Sequence, residues 1–140
     1  MTSGLPLGWR LRATAAVALV PPLVYLVSFS RLAAWLGRGG PLVSALDDAS
    51  LARWVDRLLR HLPGPWHRTC LKRAAVLFLL LRRAGRPVEL WIGVRKTAAT
   101  PLGAHAWLVR EGQPYLESRP EHAGRHTVIA RFPEPGRAAA

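Results

Sequence analysis

Three side chains have the types and spacing needed for acyl transfer through a thiol: Cys70, His105 and Glu117. A thiolate attacks carbonyl carbon, a histidine takes and returns a proton near neutrality, and a carboxylate can orient that histidine. Cys70 is the only cysteine, so the chain has no intramolecular disulfide and no Cys-x-x-Cys metal knuckle. A lone cysteine is most often a buried, inert thiol. Its position in the chain decides between the two readings.

Within residues 71–84, the stretch Ala74-Ala75-Val76-Leu77-Phe78-Leu79-Leu80-Leu81 is apolar nearly all round, which predicts a buried central helix. Arg82-Arg83 suit its C-terminal end, and Gly85 is the expected stop. Cys70 then falls in the first turn, where unpaired backbone N–H groups and the helix dipole favour negative charge. The cations Arg68, Lys72 and Arg73 act in the same direction. Upstream, Pro63-Gly64-Pro65 stops an earlier helix. That helix begins at Asp47-Asp48-Ala49-Ser50, and its apolar face is Leu51, Trp54, Val55, Leu58, Leu59 and Leu62.

From Val88 the period changes to two. Val88, Leu90, Ile92 and Val94 alternate with Glu89, Trp91, Gly93 and Arg95, a strand. Ala104 to Val109 reads as a second strand, Gln113 to Glu117 as a third, and Thr127 to Phe132 as one more. Of the five histidines, His61 and His67 flank the Pro-Gly-Pro loop, and His122 and His126 lie in a polar tail. Only His105 lies inside an apolar strand, between Ala104 and Ala106. A three-residue loop Arg110-Glu111-Gly112 would pair Val109 with Gln113 and His105 with Glu117. Directly paired residues share a face, with Cβ atoms about 5 Å apart. A two-residue loop would instead shift the register by one and turn Glu117 to the opposite face.

The 140 residues suffice for one domain, divided here into a front helical segment (1–48), a catalytic core (49–132) and a tail (133–140). The formal charge of +12 comes from 20 basic and 8 acidic residues, and it favours an anionic partner. Lys occurs only at Lys72 and Lys96; the Arg bias, in a chain rich in Ala, Gly and Pro, also fits a GC-rich coding sequence. No basic stretch interleaves with aromatics as a nucleic-acid reader would, so nucleic acid is not an expected partner.

Residues 13–29 carry no charge. They are slightly short for a span, and Pro21-Pro22 interrupts them. The expectation is two short helices, or a helix docking on a partner or membrane surface. No clean small-x-small cleavage site follows. The sequence requires no cofactor and no metal, and leaves a need for ATP open.

Several elements together resemble the lasso-peptide leader peptidases, which are transglutaminase-like cysteine peptidases. They are Cys70-Leu71-Lys72-Arg73-Ala74, the Leu-rich helix to Gly85, Leu90-Trp91-Ile92-Gly93-Val94 and Ala104-His105-Ala106-Trp107. The resemblance covers roughly residues 50–120. It implies an α+β fold in which a buried helix carries Cys70 at its N-terminus, packed on a small antiparallel sheet and preceded by N-terminal helices. It also implies Cys70 as nucleophile, His105 as base and the position of Glu117 as the third residue, where the family usually has Asp. The expected partners are a lasso precursor peptide, a separate leader-recognition protein and an asparagine-synthetase-like cyclase, since the chain has no room for a leader-binding domain of its own. The expected location is the cytoplasm. The alternatives are a non-catalytic binding protein on the same fold and a small membrane-associated protein.

Overall fold

A computed structural model of the chain describes residues 5–26, 28–36, 38, 40–41, 46–61, 70–95, 103–117 and 126–132. Within them are four helices, α1 (Leu7–Leu26), α2 (Phe29–Leu36), α3 (Asp48–His61) and α4 (Cys70–Arg83), and four strands, β1 (Glu89–Arg95), β2 (Gly103–Arg110), β3 (Gln113–Tyr115) and β4 (Thr127–Phe132). The Pro63-Gly64-Pro65 stop, Arg68, His67, His122, residues 96–102 and residues 133–140 lie outside the described residues.

α4 is the centre of the fold. Residues 74–81 are all buried, as an all-round apolar helix must be. Its end is a Schellman turn at Gly85 (φ 84°), with Arg86 N–H donating to Leu81 O at 2.9 Å and Gly85 N–H to Arg82 O at 3.0 Å. Around α4, one core gathers Ala13, Val17 and Val20 of α1, Leu32 and Leu36 of α2, and Leu51, Val55 and Leu59 of α3. The α3 residues are those the i, i+3, i+4, i+7 pattern selects. α1 departs from the expected pair of short helices: it continues through Pro21 and Pro22. Two prolines forfeit two i→i−4 hydrogen bonds, but Val17, Val20 and Pro21 are buried and tertiary packing holds the helix. Among the described residues no helix is long and apolar enough to cross a membrane.

The sheet is antiparallel, in the order β3-β2-β1-β4. Strand alternation gives it two faces. Leu90, Ile92, Ala106, Leu108, Ala130 and Phe132 belong to the core around α4, while Trp91, Trp107, Val109 and Val128 form a second cluster on the other face.

The β2–β3 turn corrects the three-residue expectation. Arg110 pairs with Gln113, Val109 with Pro114 and Leu108 with Tyr115, leaving only Glu111 and Gly112 in the loop. Both have positive φ, 54° and 76°, the backbone of a type I′ turn, whose twist matches that of the flanking strands. Glu111 therefore adopts the conformation usually left to Asn or Asp. The third strand also ends at Tyr115, two residues short of Glu117.

Candidate active site

Cys70 is the first residue of α4 and is half-buried. Its helix start follows from the apolar run after it and places the backbone N–H groups of the first turn beside the sulfur. His105 lies on β2 opposite Gly93 of β1. Its Nε2 is 3.0 Å from Glu117 Oε2, and the two side chains are 17% and 13% exposed. With Glu117 ionised, Nε2 carries the donated proton, so a neutral ring has its lone pair on Nδ1.

The His105–Glu117 contact arises by a route the sequence reasoning did not foresee. In the two-residue register, continued pairing would set Glu117 opposite Ala106, on the wrong face. The ladder instead stops, and Leu116 takes a left-handed conformation (φ 57°). That kink turns the chain so that the next residue meets His105. The side chain is where the three-residue turn would have put it; the backbone that delivers it is different.

Leu116 is tied to the helix that begins with Cys70. Arg73, one turn along α4, donates from Nη2 to Leu116 O at 2.8 Å. Its Nε and Nη2 also reach Asp56 of α3, at 2.7 and 3.3 Å. Cys70 and Arg73 are three residues apart on a helix and so lie on one side of it. The structure joins His105 to Glu117 directly, and joins the Cys70 turn to the same segment through Arg73.

Around His105 are residues the sequence reading left unassigned. Trp107 stacks on its ring (centroids 5.6 Å, 16°), and His126 lies 5.4 Å away at 36°. Gly93 makes this possible. A Cβ there would be 2.7 Å from His126 Cβ and 2.9 Å from Trp107 Cη2, closer than real Cβ atoms approach. Alternation could have placed Trp107 with His105; His126 depends on β4 pairing with β1 across a register shift at Ile92/Gly93, which no local pattern shows.

Beneath the hairpin lies a buried polar network. Arg86 donates to Asp48 Oδ1 (3.0 Å), Ala84 O (3.0 Å) and Leu46 O (2.8 Å). The Tyr115 hydroxyl donates to the other Asp48 oxygen, and Arg110 Nη1 approaches the same hydroxyl at 3.3 Å. Burial, and then the hydrogen bond to the Asp48 carboxylate, raise the Tyr115 pKa above its ordinary value. The network anchors the residue immediately before the Leu116 kink. Among the described residues, no three of His, Cys, Asp and Glu gather as a metal site.

A family profile described as Transglutaminase-like superfamily matches residues 12–131. The chain belongs to the transglutaminase-like superfamily. No curated protein and no solved structure matches it. The transglutaminase-like domain accounts for the architecture: four helices and a small antiparallel sheet, α+β, with the cysteine at the start of the buried helix. The fold is compatible with cysteine peptidase activity. A separate cleft of about 430 Å³, between α1, α2 and the far end of α4, is lined by Trp9, Trp35, Leu79 and Arg83 among others. It belongs to the opposite end of α4 from Cys70.

Proposed function

We propose that this transglutaminase-like protein is a cysteine peptidase that removes the leader from a lasso-peptide precursor. The observation that carries the peptidase reading is the 3.0 Å His105–Glu117 contact, held by a segment tied to the first turn of the Cys70 helix. β3 pairs with β2 only from Leu108 to Arg110. The part of β2 that carries His105 therefore has no β3 partner on that edge; because the imidazole stacks on Trp107, on the sheet face away from the α4 core, this reading requires the Cys70 thiol to reach it around that open edge.

In this mechanism the Cys70 thiol passes its proton to His105 Nδ1, and Sγ bonds to the carbonyl carbon of the last leader residue. The tetrahedral intermediate collapses, the C–N bond breaks, and His105 gives the proton to the leaving core amine. Water, deprotonated by His105, then hydrolyses the thioester, and the proton returns to the thiolate. Glu117 fixes the tautomer and stabilises the imidazolium that forms at each step. The Cys70 backbone N–H is one oxyanion donor.

The lasso substrate rests on the resemblance in Cys70-Leu71, Ile92-Gly93-Val94 and Ala104-His105-Ala106-Trp107. In that role the protein acts in the cytoplasm with a separate leader-recognition protein and passes the freed core to an asparagine-synthetase-like cyclase. The net charge of +12 suits an acidic leader. Leu7, Leu11, Leu19 and Leu26 are 62–79% exposed along α1. We assign this stripe to the recognition protein, with a membrane surface as the competing occupant.

The test is leader removal in a reconstituted mixture of precursor, recognition protein and this chain. Cys70→Ala and His105→Ala should each abolish cleavage. Undiminished cleavage by Cys70→Ala would remove the mechanism.

A further inference from the structure

A leucine with positive φ needs something to hold it. Left-handed backbone suits glycine and sometimes Asn or Asp, whereas a γ-branched side chain is rarely found there. Leu116 lies at a bend just past the last paired residue of β3. What meets it is a guanidinium. Arg73 Nη2 donates to the Leu116 carbonyl at 2.8 Å, and the Arg73 fork is itself fixed by Asp56 through contacts of 2.7 and 3.3 Å. The Arg73 and Asp56 side chains are 16% and 21% exposed, so the pair is shielded from most of the solvent screening that weakens surface ion pairs.

We infer that Arg73, braced by Asp56, is a positioning residue for Glu117: it holds the Leu116 carbonyl so that the left-handed kink persists and the carboxylate meets His105. Three elements converge on that carbonyl, namely α3 through Asp56, α4 through Arg73, and the chain leaving β3. Because Arg73 shares its helix face with Cys70, the same contact sets the helix start against the segment that carries Glu117. The consequence for cleavage rests on the peptidase reading above; the consequence for the His105–Glu117 hydrogen bond does not.

The experiment therefore has two readouts. In ¹⁵N-histidine-labelled protein, the His105 Nε2–H proton donated to Glu117 should give a low-field, slowly exchanging resonance, and Glu117→Gln identifies it by shifting it. Arg73→Met should broaden or abolish that resonance while the remaining amide spectrum stays native. Arg73→Lys, a point charge without the fork, should restore it only in part. Leu116→Gly, which accepts the left-handed backbone without strain, should recover the resonance in the Arg73→Met background. If Arg73→Met does not fold, Asp56→Asn, which keeps the volume but weakens the brace, must still diminish the resonance.

In the cleavage assay, Arg73→Met should lower kcat by about 10- to 100-fold, as a displaced catalytic group does. In a Glu117→Gln background it should cost less than about two-fold further, because effects of groups acting as a unit do not add. An unchanged His105 resonance in folded Arg73→Met overturns the inference, and so does a full second loss of activity in the Glu117→Gln background. If Cys70→Ala leaves cleavage intact, the peptidase reading fails and the resonance alone still decides the positioning role.

Discussion

Removing the Asp48 carboxylate should be among the most destabilising single changes in this domain. Asp48 is 11% exposed and Arg86 is 8% exposed at the side chain. In Asp48→Ala, Arg86 keeps its bonds to Ala84 O and Leu46 O but loses its close counter-charge, and the Tyr115 hydroxyl loses its acceptor. Breaking a buried pair by deleting one partner costs about 3–5 kcal/mol, because an uncompensated charge stays in a site that water reaches poorly. Against a total stability of about 5–15 kcal/mol, that is a large fraction. At roughly 2.1 cal/mol/K per residue over 140 residues, the melting temperature should fall by about 10–17 °C. Urea unfolding followed by circular dichroism, with calorimetry for Tm, measures both quantities. Arg86→Met/Asp48→Ala should be less damaging than the sum of its two singles, since each single leaves an orphan that the double removes. A Tm drop below about 3 °C in Asp48→Ala, equivalent to roughly 1 kcal/mol, or strictly additive singles, would refute the argument.

Tyr115 sets an alkaline limit. Its pKa is raised in the fold, so its contribution is fully present below the unfolded value of about 10 and is lost as pH rises through the higher folded value, where the native state holds a proton the unfolded state has released. Tyr115→Phe should flatten the fall in stability above about pH 10, as measured by urea midpoints across pH. Gly93→Ala should cost about 1–3 kcal/mol, because its methyl would lie 2.7 Å from His126 Cβ and 2.9 Å from the Trp107 ring. The same change should reduce cleavage by displacing the rings that pack His105, and denaturation and activity assays run side by side test both effects. Glu117→Gln should lower kcat by about 10²- to 10⁴-fold with little change in KM, as loss of a tautomer-fixing carboxylate does; steady-state kinetics on the precursor check it.

Those parts of the protein that short-range physics controls are readable along the chain. An apolar run from Ala74 to Leu81 closed by Gly85 reads as a buried helix that stops there, so the place of Cys70 in its first turn was legible. The change of period at Val88 revealed the strands, including the one bearing His105. Extending α1 to Leu26 was not legible, because local rules end a helix at a proline pair while packing of Val17, Val20 and Pro21 carries it through.

Tertiary structure alone decided how the carboxylate reaches the imidazole. Both turn lengths fit Arg110-Glu111-Gly112, and only the folded hairpin chose the shorter one. The left-handed Leu116 that compensates for it is fixed by Arg73, 43 residues earlier in the chain. His126 comes beside His105 only because β4 pairs with β1 rather than with its sequence neighbour β3. Periodicity records which face of an element is apolar, and stop signals record where the element ends. Neither records which distant polar group will satisfy a backbone carbonyl, because that depends on contacts formed only when helices and sheet have packed.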